Sequence, residues 1–222
     1  MSVDITATSA PATADEKLLA LLRSELLIAR EILKSFVNLL TSEDKKSLLI
    51  KILDEVNRYK NQVESHQQDF LSYFSRVAPS LSNREEWMGI FSKISGIVDK
   101  LGGLAHRIEF LLAKSQELPR PTNELLVKMI TLLISMTDSY ISMMNNALQN
   151  RARTFEARSE VSKNEKEMDT LYRRVIFDTL EANLPPLVTL LLLNIAEMIE
   201  DVADLLNSAA DDLYLVTLYA TT

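Results

Sequence analysis

The stretch that decides the fold of this 222-residue chain runs from Asn194 to Asp212 and reads NIAEMIEDVADLLNSAADD. Counted from Glu197, acidic residues follow at intervals of three, four, seven and fourteen positions, at 200, 201, 204 and 211. On a helix these positions form one stripe. The apolar residues fall mainly on another face, at Ile195, Ile199, Val202, Leu206 and Leu213. The stretch therefore predicts a helix with one acidic and one apolar side.

The acidic stripe has no counter-charge close to it in the sequence. No Lys, Arg or His follows Arg174, although eight Asp or Glu residues do. The stripe must therefore face water, meet cations from elsewhere in the chain, or hold a metal ion, and the sequence leaves these three alternatives open. The candidate cations on neighbouring helices are Arg151, Arg153, Arg158, Arg173 and Arg174.

The composition indicates a helical protein. Apolar residues make up 47% of the chain and charged residues 25%, with only four glycines and six prolines, and no stretch alternates as a strand does. The absence of cysteine excludes disulfides and thiolate metal sites. A formal net charge of −7 argues against nucleic acid as the main partner.

The sequence carries no signal for export or for membrane insertion. Its longest apolar run, from Leu187 to Ala196, has ten residues, whereas a membrane-spanning helix needs about 20. Residues 1–14 are rich in Ser, Thr, Ala and Pro, and we expect a disordered tail there rather than a signal peptide. These features predict a cytoplasmic protein.

Six helices are predicted from apolar periodicity and from start and stop signals. Their approximate ranges are 15–40, 42–76, 83 to beyond 112, 122–153, 160–182 and 186–218. The predicted caps are Ser42 for the second helix, Asn83 for the third, and Thr122 or Asn123 for the fourth. Long helices with short connections indicate an elongated antiparallel bundle, about 40–50 Å long. Trp87 lies on the apolar stripe of the third helix and is predicted to be in the core.

The helix pattern repeats after about 105 to 109 residues. Adding 105 to the segment Ser95-Gly-Ile-Val-Asp99 gives Glu200-Asp-Val-Ala-Asp204. Both segments place an apolar stripe beside a stripe of polar or small residues. We therefore predict one all-α domain over residues 15–222, made of two pseudo-symmetric three-helix repeats at about 15–118 and 119–222.

Three of the four glycines, Gly89, Gly96 and Gly103, are seven residues apart in the third helix. A glycine inside a helix costs about 0.5–1 kcal/mol relative to alanine, so a row of three on one face indicates the close approach of another backbone. Two alternatives remain. The row is either a tight helix contact inside the bundle or a groove that admits a partner or a second subunit.

Pairs of acids four residues apart are the candidate metal ligands, because their side chains lie on consecutive turns of one helix. The pairs are Glu165 with Asp169, Glu197 with Asp201, and Glu200 with Asp204. Two such helices can share a hard metal ion, although acids at this spacing are also common on solvated faces.

The chain has no recognisable catalytic constellation. Neither His66 nor His106 belongs to the Glu-x-x-His pairs that di-iron bundles need. No phosphate-binding loop, nucleophile elbow or zinc-ligand spacing occurs. We therefore expect no enzymatic activity, and we expect His106 at the surface or in a seam.

These motifs resemble those of the PhoU-like superfamily, and within it the phosphate-transport accessory proteins. The segment from Ile199 to Asp211 is similar to the acid-x-x-x-Asp motif of the family's third helices. Glu165-Lys-Glu-Met-Asp169-Thr-Leu-Tyr-Arg is similar to its helix-five acid pair and Leu-Tyr-Arg run. The residues Asn83-Arg-Glu-Glu-Trp and Ile97-Val-Asp99 resemble the start and centre of its helix three.

The first repeat departs from the family pattern. Ser95 stands where the first acid is expected, and Asn57 and Asn61 stand near the expected acid pair of helix two. The resemblance therefore implies a complete acidic motif in the second repeat only, formed by Glu165, Asp169, Glu200 and Asp204.

The resemblance implies both a function and a cofactor. The function is that of a non-enzymatic regulator or adaptor that binds a phosphate transporter or its signalling partner. Family members with complete motifs bind iron or zinc clusters, so the second-repeat motif is expected to hold a divalent or ferric metal ion. The alternative, motivated by the row of glycines, is a structural helical bundle that acts through homo-oligomerisation. A homo-oligomer is the expected assembly.

Overall fold

The computed structural model describes residues 13–114 and 119–220, apart from the side chains of Lys46 and Ala220. Across those residues the chain forms six α-helices and a short 3₁₀ turn at Ala78–Ser80, with no strand. The all-α prediction is confirmed. The helices are α1 (Ala14–Thr41), α2 (Lys45–Val77), α3 (Arg84–Lys114), α4 (Arg120–Asn146), α5 (Arg151–Glu181) and α6 (Pro186–Ala220).

The predicted helix starts are only partly right. Thr13 caps α1 in a reciprocal capping box with Glu16, while residues 1–12 of the predicted tail lie outside the described residues. The cap of α2 is Asp44, which accepts a hydrogen bond from the amide of Ser47, rather than Ser42. Helix α4 begins at Arg120 instead of at a Thr122 or Asn123 cap, because Pro121 needs no amide partner in a first turn.

The boundary between α4 and α5 was predicted in the wrong place. Helix α4 ends at Asn146 instead of near Arg153, and α5 begins at Arg151 instead of near Glu160. The side chain of Asn150 explains the difference, because it accepts a hydrogen bond from the amide of Arg153 and so caps α5.

The six helices pack as two similar halves. In the first half α1, α2 and α3 contact one another, and in the second half α4, α5 and α6 do the same. The halves join mainly through α3 against α6 and α1 against α4, while the main contacts of α2 and α5 are with helices of their own half. This arrangement confirms the two pseudo-symmetric three-helix repeats. At 1.5 Å per residue, the 33 residues of α2 span about 50 Å.

The row of glycines on α3 packs against α6 of the same chain. A Cβ added at Gly96 would lie 3.4 Å from Cδ1 of Leu205, and one at Gly103 would lie 2.9 Å from Cε of Met198. A Cβ at Gly89 would clash with the carboxylate of Asp212. Of the two alternatives for this row, the tight contact inside the bundle is therefore the one that the structure contains.

The core runs along the contacts between the helices and includes Trp87, as predicted. Trp87 is fully buried, and its indole Nε1 donates a hydrogen bond to Asp15 Oδ1 at 3.1 Å. Met129, Met136, Met143 and Met144 are buried on α4. Within the described ranges α4 is also the one helix that is long and apolar enough to cross a membrane. Here it packs against α1, α5 and α6.

Candidate carboxylate site between the fifth and sixth helices

The antiparallel packing of α5 on α6 brings the predicted acid pairs face to face. Nε of Arg158 donates to Oδ1 of Asp211 at 2.9 Å, which fixes the register of the two helices. Two turns farther along α5 lies Glu165, and two turns back along α6 lies Asp204. Asp169 and Glu200 follow one turn beyond them.

The four carboxylates repel one another. Burial and then the charges of Asp204, Asp201, Asp169 and Glu165 raise the pKa of Glu200 to about 7. Burial, followed by Asp169 and Asp201, raises the pKa of Asp204. Burial, followed by Asp169 and Asp204, raises the pKa of Glu165. Every pair among Glu165, Asp169, Glu200 and Asp204 therefore interacts, as a common cluster requires. We call these four residues the carboxylate cluster.

Cations from other helices neutralise part of the acidic stripe of α6. Lys100 on α3 pairs with Asp201 at 2.5 Å, and Arg158 on α5 pairs with Asp211. Lys93 on α3 pairs with Asp212, the acid next to the stripe. Glu200 and Asp204 form no ion pair with any of the described residues. Asp201 and Asp211 therefore meet cations from elsewhere in the chain, which was one of the three alternatives for the stripe. The carboxylate cluster keeps an excess of negative charge.

The two lysines of α3 that pair with acids of α6, Lys93 and Lys100, were not among the predicted cations. Lys93, Lys100 and Arg107 are seven residues apart on α3, and each follows a glycine of the row by four residues. They lie on the same face as the glycines, which turns them toward α6. Arg107 donates to Asn194, continuing the line of contacts along α6. The repeated spacing of glycine and cation is the sequence signal that could have predicted this interface.

The donor chemistry of the carboxylate cluster suits a hard cation, because carboxylate oxygens are preferred ligands of such ions. Asp169 has only a distant partner on its own helix, Arg173 at 3.9 Å. In the arrangement seen here, no three His, Asp or Glu side chains of the described residues converge closely enough to hold a metal ion. Binding would require rotation of the cluster's side chains, which are at most partly buried.

The third predicted acid pair does not join the cluster. Asp201 turns to Lys100, and Glu197 accepts a hydrogen bond from the side chain of Asn194 at 3.2 Å. His106 is exposed, as expected, and lies 3.6 Å from Glu109 on its own helix. These residues therefore belong to the surface and to the contact between α3 and α6.

The described residues of the first repeat bring no equivalent set of four acids together between α2 and α3. Phe70 on α2 stacks on Phe91 on α3, with ring centroids 4.5 Å apart. Because the two helices are antiparallel, the residue one turn before Phe70, His66, lies at the level of Ser95, one turn after Phe91. The residues opposite Ser95 and Asp99 are therefore near His66 and Gln62, and the predicted counterparts Asn57 and Asn61 lie farther along α2.

Comparisons with known proteins place the fold. No protein-family model matches the sequence, and no curated protein matches it. A crystal structure described as a PhoU-like phosphate regulatory protein from Shewanella oneidensis MR-1 superposes with a TM-score of 0.74 at 14% identity, covering 91% of this chain and 99% of that one. A PhoU-like protein from the same organism gives a TM-score of 0.73, also at 14% identity, covering 90% and 99%. The chain therefore has the fold of the PhoU-like proteins, as its motifs predicted.

Proposed function

We propose that this protein is a non-enzymatic regulator or adaptor of phosphate transport or of its signalling, and that it acts by binding a transporter or a partner protein. The observation that carries the proposal is the likeness in fold, which extends over nearly the whole of both chains, to a structure described as a phosphate regulatory protein. A cytoplasmic location follows from the same proposal, since such a regulator acts where phosphate is delivered.

The surface offers apolar side chains that suit a protein partner. Phe177 and Leu180 near the end of α5, and Leu187 and Leu190 near the start of α6, are exposed around the turn between these helices. The most exposed of the four is Leu190, at 66%. Exposed apolar groups at one place commonly mark interaction sites, which agrees with an adaptor that works through contact.

The regulatory proposal predicts a phosphate phenotype. Deletion of the gene should change phosphate uptake or phosphate-dependent gene expression, and a plasmid copy should restore the original level. Uptake of labelled phosphate and a phosphate-responsive reporter would measure the two effects in cells grown at low and at high phosphate. If neither quantity changes under either condition, the proposal is wrong.

We further propose that the carboxylate cluster binds a divalent or ferric metal ion such as iron or zinc. Its support is the excess negative charge of Glu165, Asp169, Glu200 and Asp204 beside acids that already have cations. A bound cation would remove the mutual repulsion of the four side chains, and would stabilise the contact of α5 with α6.

The metal proposal predicts that Asp204→Asn abolishes binding of the ion. Asp99→Asn is the matched control, because Asp99 occupies the same place in the first repeat and is exposed. Titration calorimetry with Zn²⁺ and anaerobic Fe²⁺ would measure the affinity of wild type and both variants. At a metal concentration 100 times its Kd, the ion should add about 2.7 kcal/mol of stability to wild type and to Asp99→Asn.

The stability of the metal-free proteins provides a second comparison of the two variants. Asp204→Asn removes one of four repelling charges, so its metal-free form should be no less stable than wild type. Loss of binding in Asp99→Asn as severe as in Asp204→Asn would place the ion elsewhere. Absence of metal binding by the wild-type protein would end the proposal.

Homo-oligomerisation remains the second candidate function. The glycine row no longer motivates it, because Gly96 contacts Leu205 inside the chain. The exposed apolar residues Phe177, Leu180, Leu187 and Leu190 are the observation that favours it. Sedimentation of the wild type against Leu190→Glu, which alters the most exposed of these four side chains, tests it, and a monomer in both would contradict it.

A further inference from the structure

Glu25 is a buried carboxyl group without a counter-charge. Its relative exposure is 0%, and neither carboxyl oxygen has a hydrogen-bond partner among the described residues. It lies on the apolar side of α1, between the buried Leu22 and Ala29. An ionised carboxylate in such a place would cost several kcal/mol unless it were paired.

The surroundings of Glu25 are polar but uncharged. Gln67 on α2 lies beside the carboxyl group, without the geometry of a hydrogen bond. One residue away, Ser24 Oγ and His66 Nδ1 are 3.1 Å apart and join α1 to α2. At the same level on α3, Ser95 Oγ is buried and has no partner in the described part of the chain. The groups around this level are therefore polar, and none of the described ones forms a hydrogen bond with the carboxyl group of Glu25.

The charged residues of the helices around Glu25 are engaged or turned elsewhere. On α3, Lys93 and Lys100 pair with α6, and Asp99 is exposed. On α4, Asp138 pairs with Arg30 at 2.6 Å. On α2, Glu64 and Asp69 are the acids nearest in sequence to Gln67, and both are exposed. His66 is the titratable residue directly beside Gln67 in the sequence.

We propose that Glu25 is a proton-binding site that holds α1 against α2 in its neutral form and loosens the first repeat when the proton is lost. Deprotonation places a negative charge in a buried contact between the helices, where no cation of the described residues pairs with it. The charge gains water only if α1 and α2 separate locally. The first repeat therefore carries a proton-dependent contact at a fully buried acid, and α4, the counterpart of α1 in the second repeat, has no buried acid among its described residues.

The direction of the pH effect follows from burial. Burial raises the pKa of Glu25 to about 8, and Gln67 opposes this only in part. In the unfolded chain a glutamate loses its proton near pH 4.3. Between these two values the folded state holds one more proton than the unfolded state, so its stability falls as pH rises, and the contribution is lost above about pH 8.

The experiment compares the full-length wild type with Glu25→Gln and with the control Glu64→Gln. Glutamine keeps the shape of the neutral acid and cannot ionise, and Glu64 is an exposed residue of α2. Chemical unfolding from pH 5 to pH 9 should show a contribution of about tenfold per pH unit in the unfolding equilibrium constant up to about pH 8. This contribution should be present in wild type and Glu64→Gln and absent from Glu25→Gln.

Two further measurements make the result decisive. Infrared difference spectra at pH 6 should show a protonated carboxyl band in wild type that Glu25→Gln lacks. Amide hydrogen exchange above pH 8, corrected for intrinsic rates, should accelerate in α1 and α2 but not in α4 and α5. If Glu25→Gln folds poorly, Glu25→Met supplies a second variant that does not titrate.

Three outcomes would overturn the proposal. The first is the same pH dependence in wild type and in the variants at position 25. The second is the absence at pH 6 of any protonated carboxyl band that depends on Glu25. The third is equal acceleration of exchange in both repeats, which would indicate global opening instead of a local contact.

Discussion

Replacing Trp87 with alanine should lower the free energy of unfolding by about 3–5 kcal/mol. Trp87 is the only tryptophan and has no exposed surface. Its ring fills the space where the first turn of α3 meets α1, so its removal leaves a large cavity. It also leaves the carboxylate of Asp15 without the indole donor. Urea unfolding followed by far-ultraviolet circular dichroism would measure the change, because the variant has no tryptophan fluorescence.

Two milder variants separate packing from the hydrogen bond at this position. Trp87→Phe keeps an aromatic ring and loses the donor, whereas Asp15→Ala keeps the indole and removes the acceptor. Each should cost less than Trp87→Ala, and the loss of the hydrogen bond alone should amount to about 0.5–1.5 kcal/mol. A cost below about 1 kcal/mol for Trp87→Ala would contradict the placement of this ring in the core.

Replacing Gly96 with leucine should destabilise the chain by about 1–3 kcal/mol. A Cβ at this position would already be in van der Waals contact with Cδ1 of Leu205 at 3.4 Å, so we expect the three further carbons of leucine to press against α6. The matched control is Gly102→Leu on the same helix. A Cβ there meets no atom within 4 Å, so the gain in helix propensity should stabilise the protein by about 0.5–1 kcal/mol.

Sedimentation of the two glycine variants tests what the glycine row does. If the row serves only the contact between α3 and α6, Gly96→Leu should lower stability without changing the mass of the wild-type assembly at temperatures where it is folded. If the row is an interface between subunits, Gly96→Leu should dissociate an oligomer while the monomer keeps its stability. The second result would contradict the packing described above.

The helices were largely predictable because their signals are local. Apolar periodicity and the prolines at 79, 119, 185 and 186 are enough to place most helix ends within a few residues. The turn between α4 and α5 was missed because residues 147–150 contain neither glycine nor proline. The local signal for the break is the side chain of Asn150, which caps α5. This cap forms only once the chain has turned at residues 147–150. The wrong caps of α2 and α4 have the same origin, since several neighbouring residues could each begin a helix.

Glu25 shows a signal that the sequence contained. Leu18, Leu22, Glu25, Ala29 and Ile32 alternate at spacings of four and three, which is the pattern of one buried helix face. An acid at such a position is either paired or neutral once the face is covered. Which of the two holds depends on what α2 and α3 bring to it, and that information is tertiary.

The sequence by itself determined the all-α class and the duplicated three-helix pattern, because apolar periodicity and helix start and stop signals are local. Spacing along each helix offered three acid pairs, and the resemblance to the PhoU-like proteins singled out Glu165, Asp169, Glu200 and Asp204 among them. Only the tertiary structure decided which acids of residues 194–212 have cations. Lys93 and Lys100 reach Asp212 and Asp201 from a helix about a hundred residues away in sequence, and ion pairs depend on distance in space. Residues 194–212 are therefore a helix partly neutralised by α3, with excess negative charge remaining at Glu200 and Asp204 where α6 meets α5.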